Sequence, residues 1–116
     1  MKMTGREAVA GLPDNVRIGP FPFAIARVSV HDSAGRSEFG YCSIAAQNIN
    51  IQEDMPNAIK AVDTMMHEIL HAIFWAYQIK DEDKEENIVG HLSTALTALH
   101  LDNPWLGPWI AGALKS

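Results

Sequence analysis

At 116 residues the chain is expected to form one small domain, long enough to bury about two thirds of the surface its unfolded form exposes. An apolar fraction of 47% and a charged fraction of 20% are those of a globular protein and exclude intrinsic disorder as its general state. The formal net charge of -5, with no cluster of Lys or Arg, speaks against nucleic acid or an anionic membrane as a partner.

Pro13, Pro20 and Pro22, with Gly11 and Gly19, break up the start of the chain, and the spacing predicts an extended lead-in without a long helix. FAIARVSV, residues 23–30, is rich in β-formers and reads as a half-buried strand. HDSAGRSEFG, with turn residues Asp32, Gly35 and Gly40, connects it to YCSIAAQNINIQ, where Ile49 and Ile51 alternate with Asn48, Asn50 and Gln52. These segments predict a hairpin or a small antiparallel sheet.

Asp54 and Pro56 mark a helix start, after which Ile59, Val62, Met65, Met66, Ile69, Leu70, Ile73 and Tyr77 recur at helical spacing. The charge run KDEDKEE ends that helix, and Ile88, Val89, Leu92, Leu96 and Leu99 define a second one that stops near Asn103-Pro104. The apolar tail PWLGPWIAGAL is expected to dock on the domain, because left free it would promote aggregation. No apolar run approaches the roughly 20 residues of a membrane span, and MKMTGREAVAGLPDN does not resemble a signal peptide. The lone Cys42 excludes an internal disulfide, so a reducing, cytoplasmic setting is expected.

The chemistry concentrates in the first of these helices, in HEILH at residues 67–71. Polar groups buried without partners cost roughly 1–3 kcal/mol each, so two imidazoles and a carboxylate within an apolar helix call for something that satisfies them. Each helical residue advances about 100°, which puts His71 about 40° from His67 and Glu68 about 100° from it, all on one side. Two imidazoles one turn apart can share a Zn²⁺ ion, while Glu68 is too far round to ligate and faces the ion's open position as a general base for a zinc-activated water. The competing interpretation is a pair of core histidines, satisfied by other means or partly exposed.

A site of this kind needs a third protein ligand. Glu85, Glu86, His91 and His100 are the candidates. Glu85 falls near the centre of the second helix's apolar face, with Val89 at i+4 and Leu92 at i+7, and is the favoured ligand. Glu86 stays as the alternative; DKEE, residues 83–86, also fits a capping box with Asp83 at the N-cap and Glu86 reaching back to it. His91 and His100 read as surface residues, and His31 carries no signal. Asp63, one turn before His67, is either a partner for the imidazole's other N–H or an ordinary early-helix acid. Trp75, Trp105 and Trp109 read as packing residues.

RIGPFPF, QNINI, HEILHAIFWAYQI, EENIV and DNPWLGPWI, taken in order, span most of the chain. In this combination the sequence resembles the gluzincin metallopeptidases, and more narrowly the small zincin-like proteins of phages and prophages related to the ImmA/IrrE-type metallopeptidases. The resemblance implies a minimal α+β zincin: a short antiparallel sheet packed on the HExxH helix, with the next helix giving the third ligand. It also implies that QNINIQ is the edge strand beside the metal, able to pair with an extended peptide. The expected activity is hydrolysis of a peptide bond in a peptide or protein substrate, with His67, His71 and Glu85 on Zn²⁺ and Glu68 as general base. A non-catalytic metal-binding or interaction module with the same fold is the alternative. No stretch of the sequence points to a particular substrate or oligomeric state.

Overall fold

A computed structural model describes residues 2–29 and 39–115. The expected connection at residues 30–38, with His31, lies outside the described residues. The elements run α1 Gly5–Ala10, β1 Asn15–Ile18, β2 Phe21–Val28, β3 Gly40–Ser43, β4 Asn48–Gln52, α2 Ala58–Ala76, α3 Glu85–Asp102 and α4 Leu106–Leu114. Four helices and a four-stranded sheet make a mixed fold, compatible with the α+β class expected from the sequence.

The lead-in is more ordered than its prolines and glycines imply. Thr4 accepts from the Glu7 N–H at 3.0 Å while Glu7 accepts from the Thr4 N–H at 2.8 Å, a reciprocal capping box that starts α1 within TGRE. β1 follows and pairs antiparallel with β2.

The expectation of an antiparallel sheet holds for two of its three pairings. The strand order is β1-β2-β4-β3, and β2 pairs with β4 in parallel, Ile25 opposite Ile49. β3 and β4 are a tight antiparallel hairpin whose turn uses Gln47 at φ 51°; because β3 lies outside β4, the chain crosses from β2 to the far edge and returns. QNINIQ is therefore an interior strand, and the expectation that it forms the edge is wrong. The buried run Ile49, Asn50, Ile51 reflects neighbours on both sides, and β3 is the edge strand.

α2 crosses one face of this sheet and packs on α1, β3 and α4. Asn57 caps it, accepting from the Lys60 N–H at 2.8 Å. Met65, Ile69, Ala72 and Ile73 of α2 join Phe23, Ile49, Ile51 and Leu106 in one core. The apolar tail docks as expected: Leu106 is fully buried and the Trp109 Nε1–H donates to the Ala8 carbonyl at 2.9 Å, tying α4 to α1. α3 packs on β1 and is anchored at its end by Asn103, which accepts from the Arg17 N–H and donates to the carbonyls of Arg17 and Leu99, each at 2.8 Å.

The expected capping box at residues 83–86 does not form. Lys84 is the N-cap without a side-chain bond, and Asp83 instead accepts from the Lys80 N–H, closing the turn before α3. The inward face of α3 is formed by Ala95 and Leu99, with Ile88 and Leu92 partly buried against the core; of the residues expected on that face, Val89 and Leu96 are exposed, at 53% and 36%. Among the described residues no helix is long and apolar enough to cross a membrane.

Candidate metal centre

Met65, Ile69 and Ile73 fix the roll of α2 by filling the core, and that roll decides where HEILH points. His67 and His71 emerge on the exposed side, whereas Glu68, one position further round, is only 6% exposed. The sequence led to the opposite picture, imidazoles within an apolar helix.

The two Nε2 atoms stand 3.1 Å apart, with the rings edge to face and their centroids 4.8 Å apart. A ligating atom from each of His67, Glu68 and His71 lies within 4.8 Å of the others. Two nitrogens about 2.0–2.1 Å from one tetrahedral zinc ion are separated by about 3.3 Å, so the observed spacing fits the ion. The same spacing also suits a direct N–H···N hydrogen bond between the rings.

Above the helix runs β3. Gly40 allows its close approach: a Cβ there would meet the Asn50 carbonyl oxygen at 2.8 Å and Thr64 Cγ2 at 3.0 Å. Between β3 and α2 lies an open cavity of about 400 Å³ bordered by Gly40, Tyr41, Cys42 and Ile44 on one wall and by His67, Glu68 and His71 on the other. Burial, and after it the charge of Glu68, pushes the Cys42 thiol up to about 11, so the wall facing the carboxylate is neutral. Gly40, Tyr41 and Cys42 escaped the sequence reading of the site because nothing local in YCS marks it as an edge strand; only the crossover topology brings it over HEILH.

The remaining expected residues are apart from this group. Glu85 and Glu86 are both exposed in the first turn of α3, outside the cluster of His67, Glu68 and His71. His91 and His100 are exposed on α3, as expected. Asp63 is exposed and lies 3.8 Å from the Lys60 ammonium. A second cavity, bordered by His67 and His71 on their other flank, reaches Asp81 in the loop after α2. No known family model, curated protein or solved structure matches the chain.

Proposed function

We propose that the protein is a zinc-dependent metallopeptidase built on a minimal zincin-like fold. The observation that carries this reading is the pair of imidazole nitrogens 3.1 Å apart with a buried carboxylate beside them, opening on a cavity under an edge strand. His67 and His71 would hold the ion, with Glu85 the proposed third ligand and Glu86 its alternative. The ion would supply Lewis-acid polarisation of a carbonyl and acidify water at neutral pH.

The chain's own groups do the rest. Glu68 accepts a proton from the attacking water as its oxygen adds to the amide carbon, then delivers that proton to the leaving nitrogen as the C–N bond breaks. Burial of Glu68 limits the access of competing water to the carboxylate. The outer edge of β3 borders the cavity, where an extended peptide can pair with its backbone and lie across the histidines.

A non-catalytic metal-binding module is the second reading, favoured by Glu85 and Glu86 lying outside the group of His67, Glu68 and His71. The two readings part at Glu68, which a purely structural site does not need. Elemental analysis of the purified protein tests the shared premise, with about one zinc per chain expected. Cleavage of a peptide library by the parent and by Glu68→Gln then separates enzyme from module.

A further inference from the structure

The cavity on the far flank of the histidine pair differs in character from the one under β3. It measures about 480 Å³ and is walled by Leu70, Phe74, Trp75 and Ile79, with His67 and His71 at one rim and Asp81 at another. Leu70 and Trp75 remain 38% and 37% exposed there, although both are large and apolar. Its walls are held in place. The Trp75 ring packs on Phe21 at 4.6 Å and on Phe23 at 5.9 Å between centroids, and Ile79 is buried, its N–H bonded to the Phe74 carbonyl at 2.9 Å.

We infer that this cavity selects a large apolar side chain, aromatic or long aliphatic, on the residue next to the bond lying over His67 and His71. The inference rests on the peptidase reading for its substrate class. Because both histidines border the two cavities, a peptide whose carbonyl sits at the pair places a neighbouring side chain at the mouth of this one. Four apolar walls reward burial of hydrocarbon, and Asp81 at the rim disfavours an acidic side chain. A third cavity, bordered by Phe39, Lys60, Asp63 and Thr64 and by His67 and Glu68, has one large apolar side chain, Phe39, against the four of this one.

The test is an NMR titration of the zinc-treated and the metal-free protein with the pentapeptides Ac-Ala-Ala-X-Ala-Ala-NH2, following the Leu70 and Ile79 methyls and the Trp75 indole. X = Phe or Leu should bind about ten-fold or more tightly than X = Asp or Gly, as burial of one large apolar side chain warrants. Leu70→Lys, at an exposed position that tolerates charge, should erase the preference, and Phe74→Ala should weaken it. Equal affinities for all four peptides, or a preference that survives Leu70→Lys, overturns the inference. Zinc content measured on the same samples keeps the two readings distinct: selective binding without zinc retains the pocket and removes the metallopeptidase, and bound zinc without selectivity does the reverse.

Discussion

His67 and His71 present their Nε2 atoms to each other at 3.1 Å, one turn apart on the exposed side of a helix whose opposite side is core. A bidentate imidazole pair of this spacing should bind about one Zn²⁺ per chain. His67→Ala or His71→Ala should each abolish stoichiometric binding while leaving the fold intact, since both positions are exposed. A full equivalent of zinc retained by either variant, measured by elemental analysis, would remove the pair as ligands.

Glu85 and Glu86 give the next test. If Glu85 is the third ligand, Glu85→Gln should lower zinc affinity by about 10-fold or more in chelator competition, a typical loss when a metal's supporting carboxylate is removed. Glu86→Gln should change it little, and its effect on stability should be small because Glu86 makes no capping bond to Asp83. The reverse ranking would assign the ligand to Glu86.

Some of this was legible in the residues and some was not. The span of α2 follows from a strong local period, since the same Met65, Ile69 and Ile73 that announce the helix also bury it, but the apolar residues around HEILH hide the exposure of His67 and His71. The period of α3 marks most of its inward face, since Ile88, Leu92 and Leu99 lie against the core, but Val89 and Leu96 are exposed, because which apolar residues are covered is decided by β1 and Asn103, far away in sequence. The identity of the edge strand was out of reach for the same reason. Interior and edge strands differ in their neighbours, and the crossover that sets β3 outside β4 leaves no mark in QNINIQ beyond its continuous burial.

Gly40 sets the separation of β3 from α2. Gly40→Ala would drive a Cβ against the Asn50 oxygen at 2.8 Å, Thr64 Cγ2 at 3.0 Å and Ile51 Cδ1 at 3.2 Å, so the strand must shift. A loss of about 1–3 kcal/mol is expected from urea unfolding, together with altered amide shifts at Tyr41 and Cys42. A neutral substitution would mean that the strand is not held this close.

Cys42 gives a pH dependence of known sign. The folded chain keeps its thiol protonated to higher pH, the pKa rising from an ordinary 9.0 to about 11 through burial and then the charge of Glu68. Below the unfolded pKa both states keep the proton and the thiol adds no pH dependence; as pH rises from 9.0 towards about 11 only the unfolded chain ionises freely, so stability falls. Cys42→Ala should flatten that part of the profile in denaturant titrations. Alkylation of Cys42 by iodoacetamide at pH 8 should also be on the order of 100-fold slower than for a free thiol, because little thiolate is present. Reaction at the free-thiol rate would contradict the half-buried placement beside Glu68.

Asn103 is 3% exposed and makes three side-chain hydrogen bonds, two to Arg17 of β1 and one to Leu99 of α3. Asn103→Ala would remove the side-chain partner of the Arg17 N–H and carbonyl, while the Leu99 carbonyl keeps the backbone N–H of residue 103, and should cost about 1–3 kcal/mol, seen as a lowered urea midpoint. Substitution of the exposed Leu101 should be near neutral by the same measurement.

The most direct measurement is the cleavage of a peptide library by the zinc-loaded parent beside zinc-loaded Glu68→Gln. The substitution keeps the size of the side chain and removes the base, so the variant should fold and bind zinc as the parent does while cleaving on the order of 10²–10⁴-fold more slowly or not at all. A variant that cleaves as fast as the parent, or a zinc-loaded parent that cleaves nothing in the library, would contradict the assignment of the protein as a metallopeptidase.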